Sequence, residues 1–141
     1  MADVVFNSFK QYIMDGTIDL DTDTIKVALM TNAFTPNIDT HHFWSDVSAN
    51  EASGSGYTAG GQALTTKAVA TDDTNDRGTF DADDPSWAST TITARYAIIY
   101  KDTGVAATSP LIGCWDFGSD QSSSNGTFTI NVNSVGILAL T

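Results

Sequence analysis

Hydrophobic positions change their period once along the chain. Near the start, Val5, Phe6, Phe9, Tyr12 and Ile13 recur at helical spacing, which predicts an amphipathic helix. Asp3 can cap it and Gly16 can end it, so residues 1–16 read as one short N-terminal helix. Beyond Gly16 the pattern switches to alternation. Residues 24–31 place Ile25, Val27 and Leu29 on one face of a strand, residues 62–70 form a weaker strand with Leu64 and Val69, and 79–82 form a short one. The clearest strand is 92–101, with Ile92, Ala94, Tyr96, Ile98 and Tyr100 facing one way and Thr93, Arg95, Ala97 and Ile99 the other. Further strands are expected at 111–117, at 127–132 and at 136–141. The connections read as turns: Lys101-Asp102-Thr103-Gly104, and the polar run 118–126 with its serines and Asn125-Gly126. The fold class predicted is mainly β: an antiparallel β-sandwich or jelly roll with one N-terminal helix, in a single domain over residues 1–141.

Composition supports this. Sixteen of the seventeen acidic residues are Asp and only Glu51 is Glu. Asp bonds to the backbone in turns and is a poor helix-interior residue, whereas Glu is a good one. A chain of 141 residues can bury about two-thirds of its unfolded surface, enough for a core without staples. The lone Cys114 excludes an internal disulfide, which suits a reducing cytosol. The start of the chain has no signal-peptide pattern, and no apolar run has the length of a membrane span. A net charge of −11 with six Lys and Arg disfavours nucleic acid and anionic membranes as partners.

Residues 32–61 do not fit the alternation. The segment is polar and Gly-rich, and loops this long inside a compact domain are often functional or held by a partner. It nevertheless contains Phe34, Phe43, Trp44, Val47 and Tyr57, which a merely solvated loop would not need. The expectation is an ordered loop whose aromatic anchors contact a partner. The competing reading is that they fold back as a lid over one end of the sandwich.

Candidate chemistry is sparse. Asp19, Asp21 and Asp23 alternate as calcium ligands can, but a solvated turn explains them more simply. The acidic run at 72–84 (Asp72, Asp73, Asn75, Asp76, Asp81, Asp83, Asp84) has Arg77 where a calcium loop needs glycine. Adjacent side chains such as His41 and His42 diverge, and no zinc-like spacing accompanies them. Gly54-Ser55-Gly56 lacks the flanks of a nucleophile elbow, and Gly56, Gly60 and Gly61 make no phosphate loop. Cys114 lies in an apolar strand and reads as a buried, inert thiol. Trp44, Trp87 and Trp115 read as core or interface residues, with sugar stacking as the alternative. No catalytic residue, metal ligand or cofactor is expected.

Several segments, spread over nearly the whole length, resemble a known family. They are Ile25-Lys26-Val27-Ala28-Leu29-Met30-Thr31, His42-Phe43-Trp44-Ser45-Asp46-Val47, Gly56-Tyr57-Thr58-Ala59-Gly60-Gly61, Ala94-Arg95-Tyr96-Ala97-Ile98-Ile99-Tyr100, Pro110-Leu111-Ile112-Gly113 and Asp116-Phe117-Gly118. The chain resembles the decoration (cement) proteins of tailed-phage capsids. That resemblance implies a compact β fold on the outer capsid surface, made in the host bacterial cytoplasm. It also implies the major capsid protein as partner, a small homo-oligomer with a dimer favoured, and no catalytic residue. The alternative from another class is a tail- or fibre-associated virion module binding a host-surface glycan.

Overall fold

A computed structural model describes residues 1–141. The chain forms β1 (Val4–Val5), α1 (Asn7–Met14), β2 (Ile25–Met30), α2 (Trp44–Val47), β3 (Gln62–Ala63), β4 (Ala68–Asp72), β5 (Arg77–Asp81), β6 (Ser86–Lys101), β7 (Leu111–Thr129) and β8 (Leu138–Leu140). Short 3-10 turns follow α2 at Ser48–Asn50 and precede β7 at Ala106–Thr108. The strands make a five-stranded sheet, β1-β7-β6-β2-β3, and a three-stranded sheet, β4-β5-β8, with every pairing antiparallel. This is the β-sandwich with a short N-terminal helix that the periodicity predicts.

The central part of the larger sheet, β2 with the second half of β6 and the start of β7, is buried on both faces. Ile25, Val27 and Leu29 of β2 join Ala97 and Ile99 of β6 in the main core, which Phe9 of α1 and Phe80, Ile137 and Leu138 of the smaller sheet close. Ala28, Met30, Ile98, Tyr100, Leu111 and Cys114 point to a second core on the opposite face. Continuous apolar runs such as Val27 to Met30 follow from this two-sided burial.

Four expectations are corrected. Asp3 does not cap the helix: Phe6 is the N-cap residue, and the Asp3 carboxylate accepts the Asp116 N–H at 2.8 Å. Residues 62–70 split into β3 in one sheet and β4 in the other. The run 118–126 is not a turn but part of β7, paired with the first half of β6. Here serine and threonine hydroxyls bridge the strands, Thr93 to Ser122 and Thr90 to Ser123, each at 2.7 Å, so polar side chains do cross-strand work that periodicity assigns to apolar ones. The even alternation of 92–101 is also interrupted. Ala94 pairs with Gln121 and Tyr96 with Asp116, so residues 117–120 bulge out opposite Arg95 alone. Ile92 and Ala94 therefore face the main core, whereas Tyr96, Ile98 and Tyr100 face the second.

Candidate functional site

The segment 32–61 covers the outer face of the larger sheet. Phe34, Trp44 and Val47 lie in the second core, only 1 %, 8 % and 0 % exposed. Trp44 stacks flat on Tyr100, with ring centroids 4.7 Å apart and planes at 6°. Phe34 meets Tyr96 edge-on at 5.5 Å and stacks with His41 at 5.8 Å. Phe43 is half-buried, bridges to Pro110 and lies 6.3 Å from Tyr12. Tyr57 packs on the opposite core, 5.8 Å from Trp87. The five expected anchors are thus divided between two cores. Hydrophobic burial turns them inward, and in this fold they are not an exposed contact surface. The segment is a lid, laid over a sheet face rather than over an end of the sandwich.

Polar groups latch the lid down. The Tyr57 hydroxyl donates to Glu51 Oε1 at 2.7 Å and accepts the Leu29 N–H at 2.9 Å. Glu51 Oε1 also accepts the Gly60 N–H at 2.6 Å, and the Tyr100 hydroxyl donates to the Gly60 carbonyl at 2.7 Å. Burial pushes both tyrosine hydroxyls well above the ordinary phenol range, so they stay protonated donors. Gly61 lies so close to β2 that a Cβ there would sit 1.8 Å from the Val27 carbonyl oxygen, and its φ is +75°. Only glycine fits such an approach. At the start of α2, Asp46 Oδ2 accepts the N–H groups of His42 and Phe43, both at 2.9 Å. Burial pushes the Asp46 carboxyl upward, but these two N–H bonds and the nearby histidines outweigh it and hold the group below its ordinary value.

Other candidate groups are tied into turns. Asp19 accepts the N–H groups of Asp21 and Thr22, while Asp23 pairs with Lys101 at 2.8 Å. Asp72 pairs with Arg77 at 2.7 Å, Asp83 accepts the hydroxyls of Thr65 and Thr66, and Asp84 accepts the Val132 N–H. No three His, Cys, Asp or Glu side chains converge on a metal-sized site. His41 meets the Asn37 N–H and His42 the Asp39 carbonyl. Burial pushes the Cys114 thiol up, and with it any thiolate chemistry out of reach at neutral pH. The three tryptophans are all buried, at 8 %, 6 % and 6 % for Trp44, Trp87 and Trp115. They offer no open ring face of the kind sugar stacking uses.

Besides a small polar recess of about 170 Å³ between Gln62–Thr65 and Asp83–Ser86, two surfaces stand out, and sequence reasoning missed both. One is a groove of about 580 Å³ inside the bend of β7, floored by Trp115, Phe117 and Phe128 and rimmed by Asp3, Gln121 and Asn131. Its signal was Phe117 and Phe128 flanking the polar run, and reading that run as a turn concealed the pairing that bends the strand. The other is an apolar patch at the smaller sheet, where Val69 and Leu140 are 57 % and 51 % exposed beside a cavity of about 90 Å³. No known family model, curated protein or solved structure matches the chain.

Proposed function

We propose that this protein is a non-enzymatic structural subunit that decorates and stabilises a tailed-phage capsid by bridging neighbouring major capsid subunits. The observation that carries this reading is the closure of the central part of the larger sheet on both faces. The longest loop lines neither the β7 groove nor the cavity at the smaller sheet; it is spent as a second core layer, with Glu51 and Tyr57 bonded to each other within it. What remains is a rigid, acidic plate. Such a body suits a clamp, because a stiff bridge loses little entropy on binding and repetition over a symmetric shell adds avidity. The motifs that resemble cement proteins coincide with the interlocked parts: β2, α2, the Tyr57–Gly61 latch, the second half of β6 and the start of β7.

The subunit acts as a homodimer in this reading. Strand β4 is an edge strand whose Ala68, Val69 and Ala70 are exposed, and pairing it with a second copy would lay a strand beside Val69. Neither nucleic acid nor membrane is a partner. Four of the six cations are already ion-paired: Lys26 with Asp102, Arg77 with Asp72, Arg95 with Asp116 and Lys101 with Asp23. No helix is long and apolar enough to cross a membrane. Burial of all three tryptophans weighs against the glycan-binding tail module.

Copy number tests the reading. Quantitative gels of purified virions should show hundreds of copies, as a shell protein requires; a few to some tens would place the protein on the tail. Sedimentation should show a dimer, and a monomer persisting at high concentration would remove β4 as the self-contact.

A further inference from the structure

The groove inside β7 has the features of a strand-acceptor site. Strand β7 runs from Leu111 to Thr129, but on the side away from β6 its only strand partner is β1, at Gly113 and Cys114. From Phe117 onward that edge of the sheet has no neighbouring strand. The backbone N–H and C=O groups facing such an edge are available to an added extended chain. The groove lies where this stretch of β7 bends, lined by Gln121, Ser122 and Thr127 to Thr129, with Phe117 and Phe128 6.1 Å apart in its wall. An open edge invites unspecific pairing, and natural sheets commonly blunt it with lysine, proline or a bulge. Residues 111–129 contain no lysine or proline, and the bulge at 117–120 confines the open stretch to 121–129.

Charge narrows the occupant. No Lys or Arg side chain lines the groove. Asp116 borders it but is held by Arg95 at 2.7 Å. Asp3 accepts the Asp116 N–H and has no Lys or Arg paired with it; the cation that lines the groove is the Met1 ammonium, which Asp3 attracts. The whole chain carries a net charge of −11, so the long-range field also favours a cationic partner. The buried Trp115 and Phe128, each 6 % exposed, leave little ring face for a sugar.

We infer that the free edge of β7 accepts an extended polypeptide segment bearing lysine or arginine, added antiparallel or parallel as a further strand, with its apolar side chains over Phe117 and Phe128 and its cations toward Asp3. That this segment is an arm of the neighbouring capsid subunit rests on the decoration reading above; the acceptor edge itself does not.

The test uses the full chain, labelled for amide NMR and titrated with the peptide Lys-Val-Lys-Val-Lys-Val-Lys, its acidic twin with Glu for Lys, and a neutral maltooligosaccharide. The basic peptide should shift the amides of 117–129 and slow their exchange, and high salt should weaken it, while the other two probes leave the groove unchanged. The double variant Thr129→Lys/Asn131→Lys alters two exposed groove residues. It should keep the wild-type melting temperature and lose the basic peptide by roughly tenfold or more, since like charges placed together oppose docking. Absence of shifts, shifts confined to β4, or equal binding by the double variant would each overturn the inference, and groove shifts with the oligosaccharide alone would make it a glycan site. Decoration of stripped capsids separates the two proposals. If wild type binds the peptide but no shell, the capsid reading fails and the acceptor edge stands. If wild type and the double variant decorate equally well, the arm does not enter this groove.

Discussion

Residues 32–61 and residues 117–129 are similar in sequence and opposite in structure. Both are polar, rich in small residues and interrupted by a few aromatics. The first has little regular structure and is packed shut, with Phe34, Trp44 and Val47 in a core. The second is strand throughout and mostly exposed. The difference lies in where backbone groups find partners. In the lid they are found piecemeal, in local turns, on distant backbone such as Ser109 and Leu29, and on the Glu51 and Asp46 carboxylates, and the aromatics turn inward. In the ribbon, the neighbouring strand supplies them, and the side chains are left to solvent. Regular secondary structure and burial are therefore separate outcomes, and polarity predicts neither alone.

The largest expected effect breaks the lid at its closest approach. Gly61→Ala places a Cβ 1.8 Å from a backbone oxygen at a φ of +75°, so β2 or the lid must move. A loss of about 5 kcal/mol or more is expected, in the range reserved for strained backbone and overpacking. Urea unfolding measures it, and a loss below that of Trp44→Ala would show that the loop yields easily.

Trp44→Ala comes next. It removes a ring stacked on Tyr100 and should cost about 3–5 kcal/mol, as large-to-small core changes do. The matched change in the ribbon, Gln121→Ala at an exposed groove residue, should stay within about 0.5 kcal/mol. Equal losses at the two sites would dissolve the contrast between lid and ribbon. Glu51→Ala should fall between them. It leaves the Tyr57 hydroxyl and the Gly60 N–H without their acceptor, and hydrogen bonds to a charged group are worth about 1.5–3 kcal/mol. Hydrogen exchange should show the loss locally, with Leu29 and Gly60 amides exposed before the strands open.

The fold was legible where one face of an element is apolar. The N-terminal helix, β2, the second half of β6 and the final strand all follow from period and turn chemistry. What was not legible depends on register. Nothing in Ala94-Arg95-Tyr96 announces that residues 117–120 bulge opposite Arg95 and exchange the faces of the strand. The lid aromatics were found but assigned outward, because the face of β2 that carries Ala28 and Met30, opposite Ile25, Val27 and Leu29, is the one alternation alone leaves to solvent. The groove escaped notice because it exists only once β7 is continuous and bent.

The smallest effect is a pH dependence confined to the lid. Burial pushes the Asp46 carboxyl up, but the N–H bonds from Phe43 and His42 and the nearby histidines outweigh it and hold the group below the ordinary carboxylate range. A depressed carboxyl contributes stability that is fully present above its unfolded value and is lost as pH falls through the folded one. Wild type should therefore lose this contribution below about pH 4, near the unfolded carboxylate value. Asp46→Asn keeps an oxygen that can accept the same two N–H groups but has no charge to lose. The melting temperatures of the two proteins should differ by a constant amount at neutral pH, with wild type higher, and the gap should close as acid protonates Asp46. A gap that persists unchanged into strong acid would mean that the amide disturbs the start of α2 by its shape, and that the carboxylate's charge does not hold the lid.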